Sequence, residues 1–457
     1  MCGVVGVYCE NEDLTSTLTY YSLYSLQHRG QESSGIAMYS DGIKIHKGMG
    51  LVTEVLRDVV PKMKGKVAIG HVRYSTTGES KLENAQPILV RSKVGEIAIC
   101  HNGNLVNYYQ LREVLENEGR VFATTSDTEI IAQLLSNFLM KYDIYESLQI
   151  LTGKLLGSYT ITVLINDTLI AYRDPLGFRP LCIGEIDSGY VIASESCALD
   201  SLEIERVFDV KPGEAVIVED GDVEFFRVAK AKRCARCVFE YIYFARPDST
   251  IDGVSVYRAR FNMGKNLARE SSINCDIVSP IPDSGTTCAI GYAMESKIPY
   301  SEVLIKNRYV GRTFIMPEQK LREISVRLKM NVVRENVEGK RITLVDDSIV
   351  RGTTSRKIVE MVGRFAKEVH LRVGSPPIVS PCYFGIDMST REELIASDKS
   401  VEEIRRILSV NSLAYLSLKG LIKAVGIKDL CLACLTGIYP VCVPGEICDN
   451  YKYDVRY

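Results

Sequence analysis

Residues 341–354, RITLVDDSIVRGTT, constrain the fold more than any other stretch of the chain. The first half is a short apolar run, β-branched at Ile342, Thr343 and Val345, that stops at two adjacent acids. Such a run reads as a buried parallel strand. Ser348, Arg351, Gly352, Thr353 and Thr354 follow, and then apolar residues at helical spacing, Ile358, Val359, Val362 and Phe365. A strand that ends in a small, hydroxyl-rich turn and opens a helix presents backbone N–H groups to an anion. Asp346 and Asp347 can hold sugar hydroxyls or a hard cation that carries phosphate oxygens. The plainer reading, two acids capping the next helix, leaves the Arg-Gly-Thr-Thr run unexplained. No Gly-Lys-Ser/Thr follows, so this is not a Walker loop. The stretch predicts a phosphorylated sugar at the carboxyl end of a strand.

From residue 230 onward strands and helices alternate, as in a doubly wound parallel sheet. Residues 276–279 read as a short strand leading into Pro282-Asp283-Ser284-Gly285-Thr286-Thr287, a second small-residue loop that opens a helix. Ligands of this fold gather at the carboxyl ends of the strands, so the two loops are expected to face each other, with pyrophosphate on the second. Residues 306–334 carry eight Lys/Arg against two Glu, which beside two phosphate loops reads as a basic lid that excludes water.

The first half is built differently. Cys2-Gly3-Val4-Val5-Gly6-Val7 opens as a strand with a thiol at its tip. With Met1 removed, Cys2 carries a thiol and an α-amine whose reference pKa of about 7.7–8.0 lets it serve as the thiol's own base. By itself the residue is equally a small buried strand opener. Its company decides: Gln27-His28-Arg29-Gly30-Gln31-Glu32, then Gly70-His71-Val72-Arg73-Tyr74-Ser75-Thr76, whose Arg can grip a carboxylate in a fork, then His101-Asn102-Gly103-Asn104. There an Asn amide and a Gly N–H can form an oxyanion hole. Ser126 and Glu129 form the pattern of a capping box, with Asp127 between them available for a substrate ammonium group.

These segments resemble the N-terminal-nucleophile glutamine amidotransferase domain, whose fold is a four-layer αββα sandwich. The resemblance implies Cys2 as nucleophile, Asn102 and Gly103 as oxyanion donors, Arg73 on the glutamine α-carboxylate and Asp127 on its α-amine. Residues 341–354 resemble the ribose-phosphate loop of the type I phosphoribosyltransferases. That implies phosphoribosyl pyrophosphate (PRPP) held by Asp283, Ser284, Gly285, Asp346, Asp347, Ser348, Arg351, Gly352, Thr353 and Thr354, with Mg2+ shared among Ser284, Asp346 and Asp347. Both motif sets in order, with Phe239-Glu240-Tyr241-Ile242-Tyr243-Phe244-Ala245-Arg246-Pro247-Asp248-Ser249 at the junction, make the whole chain similar to the amidophosphoribosyltransferase family, in its iron–sulfur branch. The expected chain is an α/β two-domain enzyme, residues 1–229 and 230–457. Ammonia from glutamine displaces pyrophosphate from PRPP to give 5-phosphoribosylamine, the first committed step of purine synthesis. The family also implies a homotetramer with purine nucleotides as feedback inhibitors.

Cys234-Ala235-Arg236-Cys237 and Cys431-Leu432-Ala433-Cys434 have metal-ligand spacing, which by ligand chemistry reads as zinc. The resemblance implies instead a [4Fe–4S] cluster on Cys237, Cys382, Cys431 and Cys434, with zinc or no metal as the alternative. Cys234 leaves open which member of its pair binds. Cys442 and Cys448 match no pattern, and the six others, Cys9, Cys100, Cys182, Cys197, Cys275 and Cys288, read as core. Residues 390–426 read as helical, with capping boxes at Thr390/Glu393 and Ser400/Glu403. A formal net charge of −2 gives no reason to expect nucleic acid or an anionic membrane. No apolar run approaches the roughly 20 residues of a membrane span. With no signal-peptide pattern at its start, the chain is expected in the cytoplasm with its fourteen cysteines mostly reduced.

Overall fold

The computed structural model describes residues 1–74, 78–307, 330–388 and 390–449, and the backbone of 453–455. Ser75, Thr76 and most of the basic stretch (308–329) lie outside the described residues.

Two-residue alternation builds the first half. In the strand Gly3–Cys9, Val5, Val7 and Cys9 pack toward the helix Glu12–Ser25, while Val4 and Tyr8 pack the other way, into a core shared with a second sheet. In Gly95–Leu105 the division repeats: Ala98 and Cys100 face that shared core, and Ile97 and Ile99 face the helices Asp127–Leu139 and Ile144–Lys154. The result is a helix–sheet–sheet–helix sandwich with an antiparallel seven-stranded sheet and an antiparallel six-stranded sheet. Gly3–Cys9 is central in the first sheet, between Gly189–Ala193 and Val67–Arg73. Its first residue therefore emerges at a sheet end walled by neighbouring strands.

In the second half, Ile277–Pro280, Arg341–Asp346, Glu368–Val373 and Ser412–Tyr415 form a parallel four-stranded sheet. Alternation again sorts the faces: Ile342 and Leu344 pack on Thr353–Gly363, and Val345 packs on the opposite side with Val256–Ser271 and Thr286–Ser296. The sheet is doubly wound, as expected. The C-terminal chain returns to the first half, where Tyr453–Val455 pairs with Ala229–Ala231.

Three local expectations are corrected. Residues 390–426 are not one helical region: Ser412–Tyr415 is the fourth parallel strand, between the helices Val401–Leu408 and Leu418–Val425. Four half-buried residues are too few to show a period of their own. Ser400 and Glu403 do form a capping box, but Glu393 lies in no helix and pairs with Arg351 instead. Ser126 accepts from Thr128 N, whereas Glu129 reaches back past it to the backbone N–H groups of Ala123 and Thr124.

Candidate active site

Cys2 is buried, and its backbone fixes it on three sides. Its N–H donates to Asn102 Oδ1 at 3.2 Å, its carbonyl accepts from Arg29 Nε at 2.8 Å, and its Sγ lies 3.5 Å from the Tyr74 carbonyl oxygen. Asn102 Nδ2 is buried and has no hydrogen-bond partner among the described residues. A buried amide normally satisfies both donors, so this one is a spare donor beside the thiol. At Gly103 a Cβ would stand 2.0 Å from the Ser158 carbonyl oxygen, so only glycine lets these strands close here. Arg73 is paired with Glu32 and donates to Glu79 O at 3.3 Å. Asp127 accepts from Leu105 N at 3.0 Å and lies 3.5 Å from His101 Nδ1. Burial alone would push His101 down, but the Asp127 charge beside it turns the shift upward.

Around Cys2 lies a buried ion network that sequence reading did not assemble. Arg29, fully buried, donates to Glu195 and bidentately to Glu240, at 3.0 and 2.8 Å. Glu195 also accepts from His28 at 2.8 Å, Ser249 Oγ at 2.7 Å and Arg246 N at 2.9 Å. Burial works against the charge on Arg29, but Glu240 and Glu195 more than offset it. Glu195 is likewise held well below the usual carboxylate range: burial pushes it up, and His28 and Arg29 outweigh that. Glu240 and Ser249 belong to the junction and Glu195 to the sandwich, so the network ties the two halves together directly behind Cys2. The one signal in the sequence was Glu240, a lone charge in the apolar and aromatic run Val238-Phe239-Glu240-Tyr241-Ile242; Arg29 and Glu195 sit among polar neighbours.

In the second half, a cavity of about 440 Å3 opens at the carboxyl ends of the parallel strands. Ile281, Pro282 and Ser284 from one loop and Asp346, Asp347, Ser348, Arg351, Gly352, Thr353 and Thr354 from the other line it, so the two loops do face each other. Gly352 has φ +74° and precedes the helix Thr353–Gly363, whose first N–H groups open toward the cavity. Asp346 and Asp347 are both buried; Asp347 N donates to Asp346 Oδ1 at 3.0 Å and Ser348 Oγ to Asp347 Oδ2 at 2.6 Å. Burial, then the Asp347 charge, pushes the Asp346 carboxyl far above its ordinary range. Two expected residues stand apart from the lining. Asp283 is exposed and paired with Lys306 at 2.5 Å, and Gly285 packs its Cα against the end of Arg341–Asp346. Tyr74 also lines this cavity, with its hydroxyl 3.3 Å from Asp387 and its ring edge-on to Phe244.

The cysteines sort themselves. Cys237 stands opposite Cys431 in a two-stranded parallel bridge, and the Cys434 carbonyl accepts from Val379 N and Ser380 N, which brings Cys382 alongside. Burial pushes the Cys434 thiol up, and the neighbouring thiols of Cys382, Cys431 and Cys237 push it further. Cys234 is surrounded instead by Arg236, Asp429, Arg173 and Asp252. Among the described residues, no three His, Cys, Asp or Glu side chains converge closely enough to hold a single metal ion. The six cysteines expected in the core are buried.

A cysteine at the tip of a central strand in a four-layer sandwich, followed by a parallel sheet with an acid-pair loop, defines a class. It is a glutamine amidotransferase of the N-terminal-nucleophile type joined to a phosphoribosyltransferase. A family model described as a glutamine amidotransferase domain matches residues 71–201. The chain is 64% identical to an amidophosphoribosyltransferase of Archaeoglobus fulgidus over 98% of this chain and 100% of that one. It is 50% identical to the Bacillus subtilis enzyme of the same name, over 96% and 94%. It superposes on a solved glutamine PRPP amidotransferase from B. subtilis, complexed with ADP and GMP, with a TM-score of 0.91 at 48% identity, covering 97% and 98% of the two chains. The chain belongs to the amidophosphoribosyltransferase family, and is a glutamine amidotransferase and a pentosyltransferase. No described helix is long and apolar enough to cross a membrane.

Proposed function

We propose that residues 1–229 release ammonia from glutamine and that residues 230–457 use it to displace pyrophosphate from C1 of PRPP, giving 5-phosphoribosylamine for purine synthesis. The observation that carries this coupling is Tyr74. Its carbonyl touches the Cys2 thiol while its side chain lines the phosphate-loop cavity, so one residue spans the two sites.

In this reading Met1 is removed, and the nitrogen that becomes the Cys2 amine already lies 3.2 Å from Asn102 Oδ1. The amine takes the thiol proton as Cys2 Sγ attacks the glutamine carboxamide. The oxyanion is met by Asn102 Nδ2, a donor with no partner of its own, and by the Gly103 N–H. Arg73 holds the substrate α-carboxylate and Asp127 its ammonium group. On the acceptor side, Ser348, Arg351, Gly352, Thr353 and Thr354 hold the 5-phosphate, Asp346 and Asp347 the ribose hydroxyls, and Ser284 the pyrophosphate, with Asp283 and Gly285 shaping its loop.

Ser284, Asp346 and Asp347 suit Mg2+, a hard cation with oxygen ligands, and the raised carboxyl of Asp346 marks a place where positive charge is wanted. When bound, the ion neutralises the leaving pyrophosphate. Cys237, Cys382, Cys431 and Cys434 suit a [4Fe–4S] cluster: four thiols, two buried and two half-buried, lie near enough for their charges to act on one another, and four thiolates are the ligand set of such a cluster. Such a cluster would tie the C-terminal segment to the junction at Cys237 and to the loop at Cys382. The B. subtilis relative solved with ADP and GMP supports purine nucleotides as feedback inhibitors here. The enzyme works as a cytoplasmic homotetramer on this reading.

Cys2→Ala tests the division of labour. Glutamine-dependent synthesis should fall by about 10³-fold or more while synthesis from free ammonia stays within a few-fold of wild type. Equal loss of both would show that the two sites are not separable as assigned.

A further inference from the structure

Two cysteines take no part in the sites above. Cys442 is exposed and Cys448 half-buried, and their Sγ atoms lie 2.8 Å apart. Backbone contacts hold Cys448, and the turn that follows Cys442, in place independently of the sulfurs. Ile438–Tyr439 pairs in parallel with Ile447–Cys448, and Asp449 N donates to Tyr439 O at 2.9 Å. Between the two cysteines Val443 is buried, and Glu446 N donates to Val443 O at 3.1 Å, closing a turn over Pro444 and the left-handed Gly445.

The loop they close also reaches outward. Glu446 accepts from the Tyr383 hydroxyl at 2.9 Å and pairs with Arg391. Tyr383 follows Cys382, and its carbonyl accepts from Asn104 Nδ2 at 3.0 Å. One short loop thus grips Tyr383 and Arg391 and, through Tyr383, the end of the strand that carries Asn102.

We propose that Cys442 and Cys448 form a reversible dithiol–disulfide couple, separate from the four clustered cysteines, whose oxidant is a low-molecular-weight disulfide. One cysteine thiolate attacks the oxidant's S–S bond, forming a mixed disulfide and releasing one thiol. The second cysteine attacks the mixed disulfide, forming the 442–448 bond and releasing the other thiol. The protein loses two hydrogens and the oxidant gains them. Closure shortens the loop's excursions and clamps Glu446 onto Tyr383 and Arg391.

The test uses holoenzyme purified anaerobically, one portion treated with oxidised glutathione and one with excess dithiothreitol, each alkylated and mapped by mass spectrometry. The oxidised sample should show an internal 442–448 link with both residues protected from alkylation, and the reduced sample both residues alkylated. Cys442→Ser should convert the link into a glutathione adduct on Cys448. Hydrogen exchange of residues 380–391 should slow several-fold in the linked form. A glutathione adduct on wild-type Cys442 with Cys448 still alkylated would overturn the couple. Cross-links to Cys431 or Cys434 would do the same. Unchanged exchange at 380–391 would overturn the clamp. Because the readouts are covalent mapping and exchange, a failure of the two-site assignment leaves them interpretable.

Discussion

The two sites hold their charges in opposite ways. Around Cys2 charges come paired and fixed: Arg29 with Glu195 and Glu240, Arg73 with Glu32, Asp127 with His101. At the cavity two carboxyls lie side by side, and the charge on Asp347 works with burial to disfavour a charge on Asp346. In the first site these charges find their partners within the protein. The second leaves an ionised pair disfavoured, and on the proposed function a divalent cation or a ligand's hydroxyl donors would favour it. A glutaminase has to keep a nucleophile poised in fixed geometry, whereas a transferase that handles a polyanion gains by tightening only when its substrate arrives.

The largest expected effect breaks the paired side. Arg29→Leu leaves Glu195 and Glu240 buried without their shared cation, which should cost about 3–5 kcal/mol in denaturant unfolding. It should also weaken the glutaminase, since Cys2 loses the donor on its carbonyl. A loss below about 1 kcal/mol would mean the network does not hold the first site.

Asp347→Ala makes the contrasting change. Both glutamine- and ammonia-dependent synthesis should fall about 10²–10³-fold, the scale for losing one preorganised electrostatic partner. Stability should hold or rise, because the repulsion on Asp346 is relieved. Activity assays run beside unfolding curves check this, and a destabilised variant would contradict the assignment of repulsion to this pair.

Legibility in the sequence followed the same division. The parallel strand ending in Asp346–Asp347, the facing loop at Pro282–Ser284 and the nearness of Asn102 to Cys2 were readable because each rests on a short local run of residues. The Arg29 network was not, since its partners lie 166 and 211 residues away, and no spacing rule reaches that far. Cys234 and Cys237 both fit a CxxC pattern in the sequence, and only the fold shows that it is Cys237 that stands opposite Cys431. The strand Ser412–Tyr415 hid between two helices, and the reach of Glu129 past Ser126 was a local pattern satisfied by different atoms.

One buried charge in the first half breaks its own rule, and it yields the smallest effect. Asp174 Oδ1 accepts from Leu176 N and Phe178 N, but Oδ2 is buried with no partner among the described residues. Burial pushes its carboxyl up to about 6, against the downward pull of Arg173 and backbone donors. The unfolded chain titrates near 3.9, so between about pH 4 and 6 the native state holds a proton that the unfolded state has lost. Stability attributable to Asp174 therefore decreases as pH rises through that window and stays lower above it, by about 1–3 kcal/mol. Asp174→Asn keeps the Oδ1 acceptor and removes the charge, at the cost of a buried amide donor. The variant should be more stable than wild type by about 1 kcal/mol at pH 8, and less stable or equal at pH 4. Unfolding midpoints at the two pH values decide it. A variant that follows the wild-type pH dependence would mean that Asp174 stays ionised, and that even this carboxylate obeys the paired pattern of the glutamine site.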